Sequence, residues 1–384
     1  MQYDSNSRRS VAIIVALGSL AAAILILAPA IVGAYITQCG FSPQQAGYLI
    51  SADMAGMGLA TLPALFWVKR VDWRHVARVA LLLAAAGNVL TAGSASFESF
   101  VIVRFCTALA AGTAMSVCLA SIGMTRDPDR VFGLWVVGQL ALGAVGLALF
   151  PLILSAWGFA GVFLLLAGAL FVLSFFVHHL PQRGPDPASS TGAGAALRRR
   201  LLLAACGVFG VLCFYVGLSG VWAFLERMGV TAQLDAGFIS RTLSLASLAG
   251  IAGAASASFL SARRGRLLPA GAGFALILLA LMLLLNRVTA EAYLLAACLF
   301  KYAWTFILPY LLASITAIDA SGRVILVTNI MIGGGLAIGP AIAATLIGAG
   351  SYQPVVWLGL GFMCACLLLF LPLLLRRIPV AAAR

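Results

Sequence analysis

Nearly all the Lys and Arg of this chain lie in short breaks between long apolar runs, and they occupy alternate breaks. Only 9% of residues are charged and 63% are hydrophobic, and the mean hydropathy is +1.09. Inside a bilayer no water is present to satisfy backbone N–H and C=O groups, so each run must satisfy its own, as a helix does. The chain therefore reads as an all-α, polytopic membrane protein.

A helix needs roughly 20 apolar residues to cross the hydrocarbon core. About twelve such runs are present, at 11–37, 42–68, 76–95, 99–124, 131–155, 159–180, 201–225, 236–261, 267–286, 292–318, 324–348 and 354–375. An even number of spans puts both termini on one side. Nineteen of the 24 Lys and Arg fall on that side, including Arg8, Arg9, Lys69, Arg70, Arg74, Arg78 and Arg323. The other side receives Arg227 and Arg287, with Arg241 near its border. The bias places both termini in the cytoplasm. It also accounts for the net charge of +13 without a nucleic-acid surface, so no nucleic-acid partner is expected. Residues 11–37 are too long for a signal-peptide core, and no cleaved leader is expected. The eight cysteines lie almost all inside spans, so no disulfide framework is expected.

The longest polar break, Pro181–Arg200, is rich in Pro, Gly, Ala and Ser and ends in three Arg. It reads as a cytoplasmic linker (181–200) between two six-helix halves, 1–180 and 201–384. The halves resemble each other: Leu119-Ala120-Ser121-Ile122 and Arg130-Val131 match Leu312-Ala313-Ser314-Ile315 and Arg323-Val324 at an offset of 193 residues. Parallel repeats of this kind build carriers whose site lies between the halves.

Four local patterns add to this. Pro29 in the first run is followed by Gly40-Phe41-Ser42-Pro43-Gln44-Gln45-Ala46-Gly47 at the start of the second. The break after the eighth run reads Leu260-Ser261-Ala262-Arg263-Arg264-Gly265-Arg266. Arg104 lies in the fourth run, and Gly138, Gly143 and Gly146 line the fifth. Together they resemble the major facilitator superfamily (MFS), with a drug-antiporter-like cast in helices 1, 2 and 5. The departures are Ala262 where an Asp is usual, an altered first basic loop at Lys69–Arg74, and Leu147 where a Pro would follow the helix-5 glycine. The resemblance implies two pseudo-symmetric six-helix bundles that rock about a central substrate site. It also implies no cofactor, a monomer in a bilayer, and placement in a bacterial inner membrane.

Ionisable residues inside spans are costly and point to function. The candidates are Asp53, Arg104, Glu226, Arg241 and Lys301. Under the 193-residue offset Lys301 corresponds to Ala108, one helical turn from Arg104, and residues four apart share a helix face. Helices 4 and 10 line the cavity in the family that the chain resembles, so both cations are expected there, where they would attract a carboxylate. The alternative is that each neutralises an acidic neighbour, Arg104 with Asp53 for instance. Asp53 is the first candidate proton carrier and Glu226 the second, and Arg241 is a candidate latch for Glu226. Tyr35, Trp222, Tyr302 and Trp304 are candidate aromatic walls, or packing residues. Gln139 and Asn329 are polar residues in apolar runs that line the pathway or bond between helices. Gly335 and Gly339 form a GxxxG face for close packing.

None of the three His has zinc-ligand spacing. No phosphate-binding loop or nucleophile constellation is present, so an ATP-driven pump and a membrane enzyme are not expected. The expectation is a secondary transporter, coupled to protons and moving a small organic anion such as an aromatic or aliphatic carboxylate. The alternatives are proton-antiport efflux of drugs or hydrophobic metabolites, and a membrane sensor or scaffold that does not transport.

Overall fold

The computed structural model describes residues 7–67, 70–94, 96–182, 197–261, 266–285, 288–318, 323–348 and 351–375. Most of the 181–200 break lies outside the described residues, as do Lys69, Arg263, Arg264, Arg287, Ala262 and the C-terminal Arg376, Arg377 and Arg384.

Helix boundaries follow capping chemistry. Ser7, Asp72, Ser96, Asp127 and Thr289 each place a side-chain oxygen on an orphan N–H of the first turn. Ser96 and Ser99 bond reciprocally, as in a capping box. The helices are α1 (Arg8–Ala21), α2 (Ala23–Gln38), α3 (Pro43–Trp67), α4 (Trp73–Ala92), α5 (Phe97–Ile122) and α6 (Pro128–Ser174). They continue as α7 (Leu197–Thr231), α8 (Ala236–Ser261), α9 (Leu267–Leu283), α10 (Ala290–Thr316), α11 (Arg323–Leu346) and α12 (Gln353–Leu374). Among the described residues there is no strand beyond one isolated bridge, Gly348 to Ser351.

Two joints differ from a simple count of hydrophobic runs. The first span is two helices, α1 and α2, that meet at Ala22 and together run 31 residues. α6 holds two expected spans, separated at Gly158 (φ 64°, ψ −168°), a conformation open essentially only to glycine. Nine helical stretches among the described residues have the length and hydropathy to cross a membrane. With α6 divided at Gly158, and α3 and α9 added, there are twelve segments.

Packing repeats between the halves. α3 packs on α5 as α8 packs on α10, α4 on α5 as α9 on α10, and α1 on α6 as α7 on α11. Gly335 and Gly339 let α11 approach α7: a Cβ at Gly335 would lie 2.7 Å from that of Tyr215, and Ser219 donates to the Gly335 carbonyl at 3.0 Å. The halves meet along α3 with α11, α6 with α8, and α2 with α7. All eight cysteines are free thiols.

Candidate functional site

The intramembrane charges fall into three separate places. Arg104 on α5 is buried and holds Asp53 on α3: Nη2 donates to Oδ1 at 2.6 Å, and Nε donates to Oδ1 and Oδ2 at 3.1 and 3.2 Å. Both side chains are 1% exposed. Nη1 donates to Asn88 Oδ1 at 3.0 Å and to Thr91 Oγ1 at 3.4 Å, and the guanidinium lies 5.1 Å from the Phe163 ring centre. Such a fork satisfies a buried charge where Coulomb attraction alone would not offset its desolvation. The adjoining cavity holds about 20 Å³, room for one water and no organic solute. Arg104 is thus brought to Asp53 inside the N-terminal bundle, not to Lys301.

Lys301 on α10 sits between the halves. Its stem packs where α8 crosses α6: a Cβ at Gly250 would lie 3.2 Å from Lys301 Cγ and 3.0 Å from Leu140 Cδ2. Its Nζ lies 3.9 Å from the Trp222 ring centre and 4.0 Å from that of Trp304. The residue is 5% exposed, and no carboxylate pairs with it among the described residues. Two indole faces therefore serve as its electrostatic partners. Trp222 and Trp304 thus stand directly against the ammonium.

Glu226 and Arg227 close on each other at the distal end of α7, the end away from the side where α1 begins. Nε donates to Oε2 at 2.6 Å and Nη2 to Oε1 at 2.7 Å. A Cβ at Gly33 would lie 2.7 Å from Glu226 Oε2, so this carboxylate rests on α2 of the opposite half. Arg241 is exposed and makes no ion pair with Glu226.

The remaining candidates scatter. Tyr35 is buried in an aromatic cluster with Phe41, Phe100, Phe159 and Phe163, and its hydroxyl has no hydrogen-bond partner among the described residues. Tyr302 stacks on Phe306 at 5.7 Å, away from the Lys301 cage. Gln139 is half-buried on α6 and Asn329 exposed on α11.

Two inter-half bonds were not anticipated, and they share a cause. Pro29 has no N–H, so the Leu25 carbonyl four residues earlier loses its ordinary helical donor. Trp222 Nε1 donates to that carbonyl at 3.0 Å from the other half. Pro151 likewise deprives Leu147, and Ser240 Oγ on α8 donates to the Leu147 carbonyl at 2.5 Å. Ser244 adds a bond to the Ala144 carbonyl at 2.7 Å. A proline followed back four residues is a legible signal for such a carbonyl. Asn88 and Thr91, which complete the Arg104 site, were legible only as polar residues in an apolar run.

Repeated bundles of membrane-length helices that meet along a common seam are the architecture of membrane carriers. The family model of the Major Facilitator Superfamily matches residues 11–333, and the chain belongs to that superfamily. It is a membrane transporter and not an enzyme. Its fold is similar to that of a bacterial homologue of the human lysosomal transporter Spinster, solved in an inward-facing conformation (TM-score 0.71, 14% identity, 98% of this chain and 100% of that one). It is also similar to a mutant of the nucleoside transporter NupG (TM-score 0.68, 14% identity, 94% and 99%) and to the POT-family transporter PepTSo (TM-score 0.71, 11% identity, 94% and 96%). No curated protein sequence matches the chain.

Proposed function

We propose that this transporter carries a small organic anion, most simply a carboxylate, past Lys301 in exchange between two faces of a bilayer. The observation that carries the reading is an ammonium buried between the halves with indole faces, and no carboxylate among the described residues, as its partners. A cation so placed has its charge available for a ligand anion, whereas Arg104 has spent its own on Asp53. The substrate site is then Lys301 with Trp222 and Trp304 behind it.

The halves 1–180 and 201–384 act as the rocking bodies on this reading. Their polar contacts (Trp222 to Leu25, Ser240 to Leu147, Ser244 to Ala144) lie in the middle and distal parts of the helices. That pattern suits a state closed on the distal side. With both termini in the cytoplasm, as the charge bias supports, it is an inward-facing state. Of the two candidate proton carriers, Glu226 is favoured. Both carboxylates are paired with an arginine, but Glu226 lies at a contact between the halves and is 17% exposed, whereas Asp53 is 1% exposed within one bundle. We place the protein, as a monomer, in a bacterial inner membrane.

The test is a thermal-shift screen of purified protein with aromatic and aliphatic carboxylates, lipophilic cations and neutral drugs. A ligand that binds the folded state raises its apparent stability by mass action. Stabilisation by carboxylates that is lost in Lys301→Met supports the reading. Stabilisation by cations or neutral compounds alone overturns it in favour of efflux.

A further inference from the structure

Trp222 faces two ways. Its ring face carries the Lys301 ammonium at 3.9 Å, and its Nε1–H reaches across the halves to the Leu25 carbonyl at 3.0 Å. That carbonyl is available because Pro29 cannot donate to it. One side chain thus joins the cation site to the contact between α2 and α7.

We propose that Trp222 couples the charge at Lys301 to the closure between the halves, so that an anion arriving at Lys301 loosens that closure. The proposal rests on the reading of Lys301 as the anion-binding cation. A cation over an indole face draws electron density from the ring and makes the N–H a stronger donor, and hydrogen-bonded groups in a low dielectric polarise one another in this way. With the ammonium on its face, Trp222 grips the Leu25 carbonyl most firmly. An anion that pairs with Nζ cancels the field at the ring and draws the ammonium toward itself, and the donor weakens. The bond between Ser240 and the Leu147 carbonyl closes the other seam without touching Lys301. It holds the halves together whether or not the anion is bound. The carrier thus has one latch that senses occupancy and one that does not.

The experiment is hydrogen–deuterium exchange on the full chain in lipid nanodiscs, read at the distal ends of α2 and α8, with and without saturating benzoate. In the unaltered protein benzoate speeds exchange at both ends, by at most about fivefold, the worth of losing roughly one whole net hydrogen bond. Trp222→Phe keeps a ring face but loses the N–H, so exchange is already fast and benzoate adds nothing. Pro29→Ala, which supplies a competing helical donor without a disruptive change, behaves the same way. Ser240→Ala is faster at rest, yet benzoate still adds its increment. Lys301→Met is faster at rest and does not respond. If benzoate binding depends on Lys301 but Trp222→Phe and Pro29→Ala respond like the unaltered protein, the coupling is wrong and the anion reading survives. If benzoate does not bind, the anion reading fails. The ligand-free comparison then decides the coupling: Lys301→Met exchanging at the unaltered rate overturns it, and faster exchange sustains it.

Discussion

Two buried cations, one on α5 and one on the equivalent α10, meet opposite fates. Arg104 is enclosed by Asp53, Asn88 and Thr91 within a single bundle. Lys301, one turn further along the repeat, lies between bundles against two indoles. The repeat supplies similar helices, but the α5 equivalent of Lys301, Ala108, packs near Gly56 of α3 inside its own bundle, so the one-turn shift alone does not carry the charge between bundles. The side chains match their posts. A guanidinium fork engages one carboxylate bidentately with a donor to spare, whereas an ammonium is a compact charge on a flexible stem that can be drawn toward a ligand. The first site holds a half together, and the second is free to act between halves.

The contrast breaks first at Asp53. Asp53→Asn keeps the shape but leaves Arg104 charged and buried without its counter-ion, and is expected to cost about 3–5 kcal/mol, read as a large fall in Tm. Adding Arg104→Gln recovers most of that loss, because no uncompensated charge remains. Lys301→Met moves Tm little or upward, since it replaces an unpaired buried cation by an apolar chain of similar length. If Lys301→Met destabilised the protein as Asp53→Asn does, the two sites would be alike and the contrast false.

The next effect is smaller and tests how complete the Arg104 site is. Asn88 accepts from Arg104 Nη1 and donates its own Nδ2–H to the Ala84 carbonyl at 2.8 Å. Asn88→Ala removes a hydrogen bond to a charged group and is expected to cost about 1.5–3 kcal/mol. Unfolding of detergent-purified protein reads it, and a change within error would mean that Thr91 suffices as the partner of Nη1.

Much of this was legible in the sequence. The apolar runs with charged breaks specify the membrane fold, and Asp53, Arg104, Lys301, Trp222 and Trp304 stand out as costly or amphipathic residues within them. Their pairing is less legible. The 193-residue offset puts Lys301 one turn from the equivalent of Arg104, but helix rotation decides which neighbour each meets, and an offset in sequence does not fix rotation. Asp53–Arg104 is therefore one of two readings until α3 is seen packed on α5. Arg241 is a plausible latch by proximity in sequence, yet Arg227 is the residue that reaches Glu226. The Gly158 joint falls between two runs that the sequence separates, but the positive φ that makes the joint is seen only in the backbone geometry. The inter-half bonds at Leu25 and Leu147 involve carbonyls, which a reading centred on side chains passes over.

The smallest expected effect sharpens the comparison from the Lys301 side. Trp304 supplies one of the two ring faces at 4.0 Å from Nζ, and unlike Trp222 it has no bond across the halves among those described. A double-mutant cycle between Lys301→Met and Trp304→Leu isolates that single contact from the packing each substitution also changes. Its coupling energy is expected near 0.5–2 kcal/mol, the range of a cation–π pair from exposed to desolvated. The equivalent cycle between Arg104 and Asn88 should give a larger figure, because a hydrogen bond to a charged group is the stronger partner. A Lys301–Trp304 coupling as large as the Arg104–Asn88 one would mean that the cage holds its cation as firmly as the fork holds Arg104. An anion would then have to outbid the indoles to take Lys301, and the site would be structural. A small coupling leaves the ammonium loosely held, as a charge that changes partners during transport must be.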